Sequence, residues 1–200
     1  MPYLKFTNWT IDLGITAILG LRVVSVSEDV GAGLLQVTLQ PGDSVGIAIG
    51  SPLQLPLSAA VYADILSTLQ APSLAYMASL GAGALASGRA FDFTSASIVG
   101  DTITIAWPFT RNLSATAACK ITSWNYDGIN HAVYCYLSPF ASDGGLVAGE
   151  QAGFTLPASI YALFDAKISA LLTDVKALPP QMHDGLSKDL SVGVITPDGM

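Results

Sequence analysis

Hydrophobic and polar residues alternate in the second half of the chain with a period of two, which is typical of a half-buried β-strand. Two such runs, residues 119–124 and 131–137, flank Asn125-Tyr126-Asp127-Gly128. An Asp-Gly pair between alternating runs predicts a hairpin, because glycine adopts the positive φ that a tight turn needs. The predicted inner face of this hairpin consists of Cys119, Ile121, Val133, Cys135 and Leu137. The predicted outer face consists of Lys120, Thr122, Trp124, Tyr134 and Tyr136.

Apolar residues three and four positions apart run from residue 160 to residue 175. They predict an amphipathic helix of about 20 residues that ends before the two prolines at 179–180. Residues 61–69 carry a shorter version of the pattern, which predicts a helix that ends before Pro72. The Ala/Gly-rich residues 73–88 predict a second, closely packed helical segment.

Two more hairpins are predicted outside this region. In the first, Glu28-Asp29-Val30-Gly31 joins runs whose inner positions would be Leu21, Val23, Leu35, Val37 and Leu39. In the second, Gly100-Asp101 joins Ser97–Val99 to Thr102–Trp107. A two-residue loop with glycine first favours a type II′ turn.

The chain also matches itself weakly when it is shifted by 98 residues. The shift aligns Trp9 with Trp107, Leu21 with Cys119, Arg22 with Lys120, Val37 with Cys135 and Pro41 with Pro139. With about three further residues inserted, Leu55-Pro56 falls on Leu156-Pro157. Each pair is expected to open a helix, since proline fits the first helical turn. Chance alignment in a chain rich in Ala, Ser and Leu is the alternative.

These patterns predict a strand-rich α+β fold of two tandem pseudo-repeats, each made of β-hairpins followed by an amphipathic helix. The predicted repeats are residues 1–97 and 98–200, either as separate units or packed together as one domain. If the duplication is real, a trimer of the chain would present six similar units.

Composition narrows the classes of function. The chain is 51% hydrophobic and 12% charged, against about 25% charged residues in an ordinary soluble domain. Its net charge of −7 argues against nucleic-acid binding, which needs basic residues to neutralise phosphates. The longest uncharged stretch, residues 65–88, holds Pro72 and many small polar residues and is not expected to span a membrane. The N-terminus does not resemble an export signal, so the chain is expected to be made and kept in a cytoplasm.

Few residues in the sequence are candidates for catalysis, disulfide formation or metal binding. If the hairpin turn placed Cys119 opposite Cys135, a cross-strand disulfide would be conceivable. Their counterparts in the first repeat, Leu21 and Val37, are apolar, so buried free thiols are predicted instead. With two cysteines and two histidines, no metal or cofactor is predicted.

An enzyme or small-molecule-binding domain with a site dispersed along the sequence is the alternative function. Its first candidates are Asp127, His131, His183 and Asp184. For His183 and Asp184, a solvated turn after the two prolines at 179–180 is the favoured explanation. His131 and Cys135 would lie near 13 Å apart by strand rise, too far to share a proton.

The predicted interface residues are Trp124, Tyr134 and Tyr136, which would form an apolar patch unless a helix of the same chain covers them. Scarce charge and surplus apolar surface predict a structural subunit, not an enzyme, that assembles with itself and with other structural subunits. In composition the chain resembles bacteriophage virion proteins, such as capsid decoration or cement proteins and tail or neck components. The resemblance implies a location in the virion after assembly in the host cytoplasm.

Overall fold

A computed structural model describes residues 1–12, 15–29, 34–43, 48–127 and 130–197 of the protein. Val30 and Gly31 of the first predicted turn and Gly128 of the last one lie outside the described residues. The helices are α1 (Ala59–Ala78), α2 (Ala158–Lys176) and a short 3-10 helix (Leu190–Val192). The strands are β1 (Tyr3–Asp12), β2 (Ile15–Asp29), β3 (Leu34–Gly42), β4 (Leu53–Pro56), β5 (Ala82–Ala86), β6 (Arg89–Val99), β7 (Thr102–Phe109), β8 (Leu113–Asp127), β9 (Ala132–Pro139), β10 (Ala152–Leu156), β11 (Gln181–His183), β12 (Leu186–Lys188) and β13 (Val194–Thr196).

Within the described residues, eleven of these strands form one antiparallel sheet in the order β13-β1-β2-β8-β7-β6-β5. Strands β3 and β4 extend it from β2, and β9 and β10 extend it from β8. Strands β11 and β12 form a separate hairpin. The predicted α+β fold with a majority of strands is therefore confirmed, as are the predicted hairpins β6–β7 and β8–β9.

The centre of the sheet is built by the two longest strands. β2 pairs with β1 over its first part and with β8 over its second part, through Ser25–Asn125, Val26–Trp124 and Ser27–Ser123. This arrangement creates a central six-stranded sheet, β4-β3-β2-β8-β9-β10. One buried row crosses all six strands and consists of Leu55, Val37, Val26, Trp124, Cys135 and Phe154.

The two helices cover this buried face. They are antiparallel, because the Ser58 amide at the start of α1 donates to Asp174 near the end of α2 at 3.0 Å. Lys167 Nζ lies 2.8 Å from Asp64 along the same seam. On the sheet side, Tyr126 stacks on Phe164 of α2, with ring centroids 3.3 Å apart. The core therefore lies between the helix pair and the central sheet.

A β-bulge changes the predicted faces of the β8–β9 hairpin. The ladder shifts between Ile121 and Ser123, so the residues after it reverse their direction. Trp124 therefore pairs with Cys135 and lies in the core, 1% exposed, instead of on the outer face as predicted. Thr122, also predicted outside, is the extra residue of the bulge and is buried, with hydrogen-bond contacts to Ser138 and Gln151.

The cysteines are not opposite each other. Cys119 pairs with Pro139 and Cys135 pairs with Trp124. Both thiols are free and buried, so the predicted burial of two small apolar side chains is confirmed.

The predicted helix α2 is confirmed, whereas the prediction for α1 was wrong at its end. α1 continues through Pro72 to Ala78, and residues 82–86 form β5 instead of a helix. Proline removes one amide hydrogen bond, but buried Leu69 and Leu74 hold the helix on both sides of it.

The Leu-Pro pairs do not open the helices in the same way. Pro56 ends β4, and Ser58 caps α1 by accepting a hydrogen bond from the Val61 amide at 3.3 Å. Pro157 is itself the residue before the first turn of α2. No helix within the described residues combines the length and apolarity needed to cross a bilayer.

Candidate interaction surface

The side of the central sheet that faces away from the helices has an unusual composition. Residues paired directly across antiparallel strands lie on the same face, so the ladders define two outer rows of six. One row is Gln54, Thr38, Ser25, Asn125, Tyr134 and Thr155. The other is Pro56, Gln36, Ser27, Ser123, Tyr136 and Gly153. All twelve residues are half-buried or exposed and none is charged; we call them the uncharged face.

Two of the three predicted interface residues lie on the uncharged face. Tyr134 is 37% exposed. Tyr136 is half-buried, and its hydroxyl accepts a hydrogen bond from Asn125 Nδ2 at 3.2 Å. Together with Ser25 and Asp127 they line a shallow groove of about 480 Å³ where β2 meets β8, so one carboxylate borders the uncharged face. The third predicted residue, Trp124, lies in the core behind them.

Asp127 and His131 lie at the end of the β8–β9 hairpin. Asp127 accepts hydrogen bonds from Asn130, from its amide at 2.9 Å and from Nδ2 at 2.6 Å. His131 Nδ1 lies 3.1 Å from the Tyr161 hydroxyl of α2. Asp127 therefore holds the end of the hairpin together, and His131 links it to α2.

His183 and Asp184 belong to the β11–β12 hairpin and have other partners. His183 Nε2 lies 3.1 Å from Asp184, and Asp184 accepts from Ser51 Oγ at 2.7 Å. Burial lowers the pKa of His183, although the Asp184 carboxylate opposes this shift and Lys188 adds to it, so the ring is neutral near pH 7. The four candidates of the enzyme hypothesis thus occupy two hairpins with separate sets of contacts.

The same hairpin holds a buried lysine. Lys188 Nζ donates a hydrogen bond to the Thr10 carbonyl and lies 4.7 Å from the Trp9 ring centroid. Burial lowers the pKa of Lys188, an effect that Asp184 opposes. A cation held by a carbonyl and an aromatic face fastens the hairpin to β1.

The densest polar cluster surrounds Glu150 and was missed by sequence reasoning. Its carboxylate accepts from Trp107 Nε1 at 3.0 Å, from the Thr110 amide and hydroxyl at 2.8 and 2.6 Å, and from the Arg89 guanidinium. Arg89 also donates to the carbonyls of Pro108 at 2.8 Å and Gln151 at 3.0 Å. Sequence spacing gives no signal for a cluster whose charges lie 61 residues apart.

The Glu150 carboxylate finds its hydrogen-bond donors within the cluster. Burial alone would raise the pKa of Glu150, but hydrogen bonds from Thr110, Trp107 and Arg89 outweigh it and bring the pKa to about 2. The carboxylate is therefore ionised and fully engaged, which suits a structural fastening of the 141–151 loop to β6 and β7. A cleft of about 650 Å³ lies beside it.

The remaining reactive side chains are either buried thiols or residues that lie apart from one another. Burial raises the pKa of Cys119 and of Cys135 to about 12, so neither thiol ionises near neutral pH. Within the residues that the structure describes, His, Cys, Asp and Glu side chains nowhere gather in threes as a metal site would need.

Comparison of the chain with protein families, with curated proteins and with solved structures found no match.

Proposed function

We propose that the protein is a structural assembly subunit that binds copies of itself or other structural subunits through the uncharged face. The observation that carries this proposal is a surface of twelve residues with two tyrosines and no charged side chain. Protein interfaces are depleted of charged residues at their centre and enriched in tyrosine. In antibody binding surfaces, serine and asparagine supply adaptable hydrogen bonds and tyrosine supplies rigid contact area.

The scarcity of charge favours a permanent assembly over a solitary monomer. With 12% charged residues, the chain has about half the usual supply for its surface. Apolar side chains are exposed elsewhere as well, including Leu85 at 80% and Val99 at 79% on the β5–β6 edge. Because the composition resembles that of bacteriophage virion proteins, we place the subunit in a virion, as a capsid decoration or cement protein or a tail or neck component.

We also propose that the two halves are pseudo-repeats related by a two-fold axis at the β2–β8 junction. Val26 pairs with Trp124, the residue 98 positions later. Under the same shift of 98, the flanking pairs Ser25–Asn125 and Ser27–Ser123 exchange with each other. A two-fold relation between similar halves produces this exchange.

The bulges and bridges support the same shift. The ladder irregularities follow Val23 in β2 and Ile121 in β8. The isolated bridges Gly42–Ala48 and Phe140–Leu146 are also 98 residues apart.

For the last strand and the helix of each half, the shift is 99 residues. Val37 pairs with Leu55, and Cys135 pairs with Phe154. Under this proposal Leu55 corresponds to Phe154, two residues before Leu156, with which the sequence alignment matched it.

The test is the state of assembly in solution. Mass photometry of the wild-type chain at micromolar concentration, alone and with the products of neighbouring genes, is expected to give a defined oligomer. The variant Ser25→Lys/Ser123→Lys adds two charges at the centre of the uncharged face and is expected to dissociate it, because burying unpaired charges is costly. The matched control Ala162→Lys/Ala170→Lys adds the same charge on exposed positions of α2 and should leave the oligomer intact. A wild-type chain that stays monomeric in every mixture would contradict the proposal.

A further inference from the structure

A second feature of the centre of the fold is a cavity of about 320 Å³ between β2, β3 and the end of β8. Its walls are mainly apolar and include Val23, Val24, Pro41, Gly42 and Ala48. Arg22 supplies a positive charge to the lining. The volume lies at the lower end of the range of about 300–1,000 Å³ that is usual for small-molecule sites.

Arg22 is incompletely satisfied in this position. Its guanidinium lies over the Tyr3 ring, 5.7 Å from the centroid. Its Nε atom is buried and has no hydrogen-bond partner among the described residues. A buried donor without a partner is rare, because it has lost water without gaining an acceptor. Since Arg22 lines the cavity and its Nε is closed off from solvent, an acceptor from outside the chain reaches the guanidinium only through the part that faces the cavity.

In the second half of the molecule, the cation that corresponds to Arg22 has a carboxylate partner. This comparison rests on the proposed pseudo-repeat. Lys120, the counterpart of Arg22, lies 2.9 Å from the Asp101 carboxylate. Lys120 Nζ also lies 5.5 Å from the Phe140 ring centroid. Under the shift of 98, Asp101 corresponds to Tyr3 and Phe140 corresponds to Gly42. The first half thus lacks both the acid that neutralises the cation and the ring that occupies the adjacent space.

We propose that this cavity binds a small organic carboxylate with an apolar body. The carboxylate pairs with the Arg22 guanidinium from the cavity, since the Tyr3 ring takes the position that corresponds to Asp101. The apolar body takes the space that Phe140 takes in the other half. Guanidinium groups recognise carboxylates in this way through paired hydrogen bonds. Asp127 also lines the cavity, but both of its oxygens accept hydrogen bonds from Asn130, which draws its charge toward the hairpin end.

The test is a titration of the full-length protein with hexanoate, followed by amide NMR shifts at pH 7. Saturable shifts are expected at Val23, Gly42 and Ala48. Hexanamide has nearly the same shape without the charge and is expected to bind at least about tenfold more weakly, the effect of one charge-assisted contact. Equal binding of the acid and the amide, or shifts that map elsewhere, would overturn the proposal.

Variants locate the site and control for folding. Arg22→Met should weaken hexanoate binding by about tenfold or more, whereas Lys120→Met, the matched change in the other half, should leave it within about twofold. Gly42→Phe places a phenyl ring in the cavity, at the position that corresponds to Phe140. It should abolish hexanoate binding while the far-UV circular dichroism spectrum stays unchanged. Undiminished binding to Arg22→Met would refute the proposal even if Gly42→Phe failed to fold. Mass photometry of the same samples measures the oligomeric state separately. A variant that loses hexanoate binding can still assemble, so failure of the cavity proposal is distinguishable from failure of the assembly proposal.

Discussion

At the scale of single residues, the Glu150 carboxylate contributes the most concentrated set of polar contacts in the described part of the chain. Four donors from β6, β7 and the turn after β7 converge on its two oxygens. The folded-state pKa of about 2 lies below the ordinary value of 4.5. A carboxyl whose pKa falls on folding stabilises the folded state at pH values above its unfolded pKa, and this contribution is lost as the pH falls toward the folded pKa.

The variant Glu150→Gln is therefore expected to lower the free energy of unfolding by about 2–3 kcal/mol at pH 7, because it weakens several charge-assisted hydrogen bonds. The difference between wild type and variant should begin to shrink near pH 4.5 and fall toward zero near pH 2. Urea denaturation of both proteins from pH 7 to pH 2.5 measures it. A difference that is constant over this range would show that the charge of Glu150 is not what stabilises the cluster.

The two cysteines give a second prediction at this scale. Since burial raises the pKa of both thiols to about 12, the native protein is expected to resist alkylation by iodoacetamide at pH 8. Mass spectrometry should find two added groups only after denaturation. Rapid modification of the native protein would contradict the burial of Cys119 or Cys135, and failure to modify the denatured, unreduced chain would indicate a disulfide.

At the scale of elements, the bulges in β2 and β8 decide which side chains enter the core. The bulge before Ser123 reverses the alternation, which moves Trp124 inward and leaves Tyr134 and Tyr136 outside. Without the bulge, one face of the hairpin would carry all three aromatic residues. The bulge thus separates the core from the uncharged face.

Paired truncations test this assignment. Trp124→Ala should lower the free energy of unfolding by about 3–5 kcal/mol, as expected for a large aromatic residue removed from a packed core. Tyr134→Ala, on the opposite face of the hairpin and 37% exposed, should cost less than about 1 kcal/mol. Urea denaturation of the two variants provides the comparison. Similar costs for both changes would mean that the alternation continues unbroken through Thr122.

The strands and helices also show which parts of the fold could be predicted from the sequence. The alternation around Asp127 and the spacing from Ile160 to Val175 predicted β8, β9 and α2, because local periodicity reports which face is buried. The bulge at Thr122 and the continuation of α1 through Pro72 were missed, since both depend on packing against distant elements. Composition indicated an interaction surface, but it did not identify the residues of the uncharged face. These residues come from six strands, and only the pairing of those strands places them side by side.

At the scale of the whole molecule, the uncharged face and the cavity occupy the centre of the fold, where the two halves meet. The face crosses the β2–β8 junction, and the cavity lies beside it between β2, β3 and the end of β8. The predicted boundary between residues 97 and 98 falls inside β6, whose last residues pair with β7. Contacts between the halves are thus made by strands as well as by the helix pair.

These shared strands lead to a prediction about cooperativity. We expect residues 1–97 and 98–200 to unfold together, because separating them breaks the β2–β8 and β6–β7 ladders and exposes the core beneath α1 and α2. Differential scanning calorimetry of the intact chain should show one transition, with no separate unfolding step for either half. Lys167→Met removes the partly exposed pair with Asp64 and should change stability by less than about 1 kcal/mol, since exposed ion pairs contribute little. Two separate transitions, or a folded fragment of residues 98–200, would instead mean that each half carries its own core and that the strands only join them.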